Sequence, residues 1–310
     1  MKVQRLLADS PMPHSWLTAR AAHHTSHLMI LDASCHLEYM IREEVSAIFM
    51  LRPRSGWAQW VMREDFALKP RVPVVEYIDL YGNCCQRIVM PPGDFQFSMK
   101  CRAWAPDDLD SNPLAALQSV AQLPVEVLHY LLPSRYCQSD KLGSIASSIV
   151  GATPRNHHQI TRIRTWIHEN IAYERGSSDS STSALETVHT HCGVCRDFAH
   201  LGIALCRAIN VPARMVVGFV HQLDPMDLHA WFEAYIGGRW YTFDATEDKP
   251  GGGRIVVAYG RDAADVALVS LFGNFTCTAM RVSVEQVVES VEESTPETPV
   301  NPSVQPCPTA

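Results

Sequence analysis

Apolar and polar positions alternate through the first third of the chain and follow a helical period farther on. Between residues 28 and 106 the pattern is strand-like, and residues 74–80 and 85–90 flank a short turn. Alternation with this period places one face of each strand against a core. We therefore predict a small antiparallel sandwich here. The alternation of apolar and polar residues is clearest where every second residue is apolar, at Phe95, Phe97, Met99, Cys101 and Ala103.

A helical period begins at Cys195, where a glycine-containing turn ends. Apolar residues then recur at intervals of three and four, and Pro212 ends the pattern. This spacing predicts a helix packed by one face against a core. Unpaired N–H groups and the positive end of the dipole at a helix N-terminus favour a thiolate over a thiol. Cys195 is therefore the candidate nucleophile.

Residues 229–244 predict a β-hairpin that carries a histidine and an aspartate on one face. Two alternating segments flank Gly237-Gly238, a typical two-residue hairpin turn. With this turn, Ile236 faces Arg239 and Trp231 faces Asp244. His229 and Asp244 are then diagonal neighbours, roughly 7–8 Å apart at the backbone. A histidine held by a carboxylate is the partner that a nucleophilic cysteine requires.

The sequences GVCRDFAHL, HAWFEAY and WYTFDAT, in this order, resemble the three motifs of the transglutaminase-like superfamily. The resemblance spans about residues 150–260, and the flanking parts are similar to bacterial members with a β-rich N-terminal region. It implies a papain-like core in which Cys195 is the nucleophile, His229 its proton partner and Asp244 the group that holds the imidazole. The expected fold class is α+β, with the nucleophile helix packed on an antiparallel sheet and an N-terminal β-rich domain.

These patterns divide the chain into five expected segments. Residues 1–27 have few periodic apolar positions and predict a poorly ordered leader. Residues 28–106 form the β-rich domain, and residues 107–123, which begin with Asp, Asn and Pro, form a linker. Residues 124–288 form the transglutaminase-like catalytic domain. Residues 289–310 are rich in proline and acidic residues, which predicts a disordered tail.

Composition narrows the classes of function. The chain has 310 residues, of which 46% are apolar and 19% charged, typical of a globular protein. The net charge is −7 and the basic residues are dispersed, so we expect neither nucleic acid nor a membrane as a partner. The early apolar segment is too short for a secretory signal. Ten cysteines without framework spacing predict reduced thiols and a cytoplasmic location.

Two other kinds of site remain possible around Cys195. Cys192 and Cys195 form a C-x-x-C pair, which suggests a dithiol redox site or a reversible regulatory disulfide. His189 and His191 suggest a zinc site. The redox site leaves the pairing of His229 with Asp244 unexplained, and a zinc site would need four ligands within a seven-residue turn.

The expected chemistry is acyl transfer on a peptide or protein substrate, without a metal or organic cofactor. The Cys195 thiolate would attack a carboxamide or peptide carbonyl, and the Cys195 backbone N–H would stabilise the oxyanion. Hydrolysis, as in a protease or amidase, is preferred over transfer to an amine, as in a crosslinking transglutaminase. A non-catalytic peptide-binding scaffold is a further alternative. The second oxyanion donor and the oligomeric state stay open.

Overall fold

The computed structural model describes residues 27–56 and 58–287, so the expected leader, apart from His27, and the expected tail lie outside it. The strands are β1 (Leu28–Ile41), β2 (Val45–Arg52), β3 (Trp60–Lys69), β4 (Val74–Ile78), β5 (Cys84–Met90), β6 (Gly93–Pro106), β7 (Ala172–Tyr173), β8 (Cys192–Gly193), β9 (Ala213–Val220), β10 (His229–Ile236), β11 (Arg239–Phe243), β12 (Arg254–Gly260), β13 (Val269–Phe272) and β14 (Phe275–Val287). The α-helices are α1 (Gly143–Val150), α2 (His157–Asn170), α3 (Ala184–Thr190) and α4 (Cys195–Ala208). None of these helices in the described ranges has the length and apolar character needed to cross a bilayer.

The β-rich N-terminal region is confirmed as a sandwich of two antiparallel sheets. One sheet has the strand order β14-β1-β6-β3, and the other has the order β13-β2-β5-β4. The alternating apolar residues of β6 all point inward and are buried. Phe97 stacks on Phe49 of the opposite sheet, with ring centroids 4.5 Å apart. Burial of these inner faces holds the two sheets together.

The last two strands belong to the sandwich rather than to the catalytic region. β14 pairs with β1 from Ile41 opposite Phe275 to Ile30 opposite Val287, and β13 pairs with β2. The expected boundaries placed these strands in the catalytic domain at residues 124–288. Local alternation predicts that a strand exists, but it does not identify a partner more than 200 residues away. The sandwich is therefore built from both ends of the described chain.

A third antiparallel sheet, with the order β11-β10-β9-β12, carries the candidate site. The predicted hairpin register is confirmed, because Ile236 lies opposite Arg239 and Phe232 opposite Phe243. Gly237 and Gly238 have φ values of 57° and 92°, which glycine adopts without steric cost. The two-glycine turn therefore determines the relative positions of β10 and β11.

Helix α4 packs against β10 and is buried from Asp197 to Arg207. The closest approach is at Gly202, where a Cβ atom would lie 2.4 Å from the ring of Phe232. Any larger residue at position 202 would push the helix away from the strand. Gly202 thus sets the distance between the helix that begins at Cys195 and the strand that begins at His229.

The sandwich covers the edge of this sheet with two side-chain amides. Gln59 donates to the Val256 carbonyl (2.7 Å) and accepts from the Val256 N–H (2.6 Å). Asn83 makes the same pair of bonds with Tyr259, both at 2.8 Å. These amides satisfy backbone groups of the edge strand β12. They join the sandwich to the sheet that carries the candidate site.

We expect Gly202→Ala to destabilise the protein by about 1–3 kcal/mol, because the added methyl overpacks the contact between α4 and β10. Thermal unfolding should show a Tm lower by several degrees. Gly143→Ala is the matched control, since nothing lies within 4 Å of its Cβ position. Equal Tm values for the two variants would contradict this account of Gly202.

Candidate active site

The centre of the candidate site is a buried hydrogen bond between His229 and Asp244. His229 is the first residue of β10, and Asp244 directly follows β11. The distance from His229 Nε2 to Asp244 Oδ2 is 2.8 Å, and the two side chains are only 4% and 1% exposed. The structure therefore brings together two of the three residues that the sequence selected.

Asp244 has further partners that the sequence did not reveal. Arg254 Nη1 donates to the same oxygen, Oδ2, at 2.8 Å. The other oxygen, Oδ1, accepts from the Thr246 N–H (3.0 Å) and the Thr246 hydroxyl (2.7 Å). Burial alone would raise the pKa of this carboxyl, but Arg254 and His229 hold it well below its ordinary value. Asp244 is therefore an ionised carboxylate enclosed by donors.

Cys195 is the first residue of α4, partly exposed, and shares a cleft with His229. Asp244 binds Nε2 of the imidazole at 2.8 Å, and the Cys195 thiol also lies close to the ring. Burial lowers the pKa of His229, but the charge and hydrogen bond of Asp244, together with the contact to Cys195, raise it to about 10. The imidazole is therefore positively charged at neutral pH. A cation beside Cys195 favours the thiolate.

A buried carboxylate fixes the turn that presents Cys195. Asp197 is fully buried and accepts hydrogen bonds from the Val194 N–H (2.9 Å) and the Ser178 hydroxyl. Arg196 also donates to Asp197, at 3.1 Å. The acidic group lies in the first turn of α4, where it complements the helix dipole. Asp197 thus holds the chain on both sides of Cys195 in place.

Tyr173 lies near Cys195 in the same cleft. β7 pairs in parallel with β8, which places Tyr173 opposite Gly193. Its hydroxyl lies near both the backbone N–H and the thiol of Cys195. Burial and the nearby Cys195 raise the pKa of Tyr173, so the phenol stays protonated at neutral pH. It can therefore act as a hydrogen-bond donor beside the thiol.

The cleft above these residues has a volume of about 140 Å³. Tyr173 and Arg175 line it, together with Cys195 and His229. The loop before β10 and the segment after Asp244 contribute Leu223, Asp224, Pro225, Asp227, Leu228, Thr246 and Glu247. The cleft is open to solvent at a partly exposed thiol, so a peptide segment could reach it.

The geometry does not favour a disulfide between Cys192 and Cys195. Cys192 and Gly193 form β8, and Val194 is also extended, with φ −115° and ψ −179°. An extended run of this length separates the two Cα atoms by roughly 10 Å. Cysteines more than about 7 Å apart are not bridged without backbone movement. Across residues 27–56 and 58–287, no three His, Cys, Asp or Glu side chains form a group that could hold a metal ion.

Arg254, Thr246 and Tyr173 are the site residues that sequence reasoning missed. Thr246 follows Asp244 by two residues, a spacing typical of an Asx turn, so a local signal existed. Arg254 reaches the site because β12 pairs with β9, and Tyr173 because β7 pairs with β8. No pattern within the sequence gives either of these pairings.

Comparisons with known proteins agree with the motifs. The family model of the transglutaminase-like superfamily matches residues 143–245, a range that contains Cys195, His229 and Asp244 but ends before Arg254. An uncharacterised protein of Mycobacterium leprae is 32% identical over 250 residues, which cover 76% of this chain and 89% of that protein. A structure described as a candidate cysteine protease from Cytophaga hutchinsonii is 35% identical with a TM-score of 0.79, and the match covers 86% of this chain and 93% of that chain.

The raised pKa of His229 predicts a pH-dependent contribution to stability. The imidazolium stabilises the folded state fully below its unfolded pKa of 6.5, and this contribution is lost as pH rises through about 10. The Tm advantage of the wild type over His229→Gln should therefore be largest near pH 6 and shrink toward pH ~10. His158→Gln, on the exposed side of α2, should follow the wild type throughout. An advantage of the wild type over His229→Gln that grows with pH would contradict the assignment.

Proposed function

Because the chain belongs to the transglutaminase-like superfamily, we propose that it is a cysteine-dependent amidase or protease that forms a thioacyl intermediate on Cys195. The observation that carries this proposal is the buried pair of His229 and Asp244 in one cleft with Cys195 at a helix N-terminus. The similarity to the candidate cysteine protease from Cytophaga hutchinsonii extends over most of both chains and supports hydrolysis.

In the first half of the reaction, the Cys195 thiolate attacks the carbonyl carbon of an amide. A carbon–sulfur bond forms, and the carbonyl π electrons move to the oxygen. The tetrahedral intermediate then collapses as the carbon–nitrogen bond breaks. His229 gives its proton to the departing nitrogen, so the product leaves as a neutral amine or as ammonia. Asp244 keeps the imidazole oriented through Nε2 during this transfer.

In the second half, His229 acts as a base. The now neutral imidazole takes a proton from water, and the hydroxide attacks the thioester carbonyl. Collapse of this second intermediate releases the carboxylic acid and returns the Cys195 thiolate beside an imidazolium. An amine that replaced water at this step would give a crosslinked product instead.

The oxyanion of both intermediates needs two hydrogen-bond donors, and the cleft offers two. One is the backbone N–H of Cys195, at the start of α4. The other is the Tyr173 hydroxyl, which lies near both this N–H and the thiol. A carbonyl oxygen that enters between them could accept a hydrogen bond from each. Tyr173 is therefore our candidate for the second donor.

We propose a peptide or protein substrate, with no metal, organic cofactor, nucleic acid or membrane involved in the reaction. The thiolate supplies the nucleophile and the imidazolium supplies the proton, so the scheme is complete with this chain's own residues. A cytoplasmic location is proposed as well. All nine cysteines of the described ranges are free, which is compatible with a reducing compartment.

The reaction is tested by incubating the full chain with a glutamine-containing peptide and a labelled primary amine, followed by mass spectrometry. Hydrolysis predicts ammonia release or peptide fragments without incorporation of the amine. Cys195→Ser should abolish both products. Incorporation of the amine would instead assign the protein as a transglutaminase.

Alkylation by iodoacetamide separates the enzyme from a non-catalytic scaffold. We expect Cys195 to be alkylated faster at neutral pH than the other thiols of the described ranges, and His229→Gln to remove this advantage. A Cys195 that labels no faster than the other thiols, together with no amide product, would overturn the proposed function.

Tyr173→Phe should lower amide turnover by about 10²–10³-fold, the usual effect of losing one oxyanion donor. The ring contact with Phe198, at 5.8 Å between centroids, would be kept, and the rate of Cys195 alkylation should stay near the wild-type value. Tyr136→Phe is the matched control, because its hydroxyl bonds the Ser180 carbonyl away from Cys195. Equal turnover in the two variants would remove Tyr173 from the oxyanion site.

A further inference from the structure

Arg254 lies behind the candidate active site and does not contact the cleft that holds Cys195. It is the first residue of β12 and is 6% exposed. Its Nη1 donates to Asp244 Oδ2, the same oxygen that His229 Nε2 contacts, both at 2.8 Å. Its Nε donates to the Gly251 carbonyl (3.1 Å), and its guanidinium lies over the Trp231 ring, 5.0 Å from the centroid. The guanidinium is therefore held in one place beside the carboxylate.

The reaction scheme makes this second cation necessary. While His229 is an imidazolium, Asp244 has a charged partner with or without Arg254. When His229 has given its proton to the leaving group, the imidazole is neutral. Without Arg254, no cation among the described residues would then contact the buried Asp244 carboxylate. A buried charge that loses its partner is strongly unfavourable. Without Arg254, the imidazolium would therefore resist giving up its proton.

We propose that Arg254 is a positioning residue that keeps Asp244 paired with a positive charge and thereby lets His229 release its proton to the leaving amine. This inference rests on the function proposed above. It assigns Arg254 a role in proton donation to the leaving group rather than in formation of the thiolate. The role is inferred from the position of Arg254 at the start of β12 and from its contact with Asp244.

Other charged and titratable groups also face the pair. Arg164 of α2 donates to the Asp244 backbone carbonyl at 2.8 Å, and its positive charge also acts on the carboxylate. The cleft side contributes Cys195, Tyr173, Arg175, Asp224, Asp227 and Glu247. Among the described residues that contact Asp244 through its carboxylate, Arg254 is the one that stays charged when His229 does not.

The test compares two leaving groups in the full-length protein. p-Nitrophenyl acetate acylates a thiolate and releases p-nitrophenolate, which needs no proton, whereas the carboxamide of a glutamine-containing peptide must be protonated to leave. We expect Arg254→Met to lower amide turnover by about 10- to 10³-fold, within the range of lost general acid catalysis. The burst of p-nitrophenolate should stay within about threefold of the wild type.

Three further variants separate positioning from a general structural effect. Arg254→Lys keeps the charge and should recover most of the amide turnover. If the Arg254→Met protein does not fold, Arg254→Gln is used in its place. Arg214→Met is the matched control, because Arg214 of β9 lies in the same sheet but pairs with the Glu233 carboxylate, at 2.8 Å from its Nε, and not with Asp244. It should lower the Tm but leave the ratio of amide to ester turnover unchanged.

A titration that does not depend on activity completes the test. In a Cys195→Ser background, the NMR titration midpoint of His229 should rise when Arg254→Met or Arg254→Gln is added. A midpoint that falls or stays the same, an equal loss of amide and ester turnover, or no recovery in Arg254→Lys would each overturn the proposal. If the wild type cleaves no amide, the proposed function fails, and the titration still decides the role of Arg254.

Discussion

The Asp244 carboxylate is almost completely buried, and a buried anion is stable only when donors and positive charges surround it. Its partners come from separate places in the sheet: His229 from β10, Arg254 from β12 and Thr246 from the turn that follows β11. Strand β9 lies between β10 and β12, so the two cations must meet across it. At Gly218 of β9, a Cβ atom would lie 2.1 Å from the Ile255 carbonyl oxygen. Because glycine has no side chain, β10 and β12, which carry the two cations, can both pair closely with β9 at this position.

The sandwich provides the burial on which this arrangement depends. His229, Trp231 and Glu233 alternate along one face of β10, and all three are buried. The sheet face that an isolated hairpin would expose is covered in the folded chain, and the sandwich amides of Gln59 and Asn83 bind the edge strand β12 beside it. Exclusion of water from this face strengthens each charge interaction around Asp244. Residues far from the site in sequence, Gln59 and Asn83, thus bind the strand that carries Arg254.

Local patterns were enough to predict the three candidate residues but not their surroundings. A two-glycine turn fixes the register of one hairpin, so counting alone places His229 near Asp244. A helical period fixes where α4 begins, and therefore the position of Cys195. The partners that lie outside these elements depend on ladders between distant segments: β12 with β9, β7 with β8, and β14 with β1. Such pairings are decided by the packing of the whole chain, and the sequence of one strand does not contain them.

The net charge of Cys195, His229, Asp244 and Arg254 connects the buried site to the proposed reaction. In the resting state, the charges would alternate in sign along the site. The Cys195 thiolate and the Asp244 carboxylate are negative, the His229 imidazolium and the Arg254 guanidinium are positive, and the four charges sum to zero. After acylation and proton release, the sulfur and the imidazole are neutral, and Asp244 with Arg254 again sums to zero. A site made of the cysteine, histidine and aspartate alone would be anionic in both states, in a region where an unbalanced charge is costly. The fourth residue therefore allows the buried site to remain neutral while a proton leaves it.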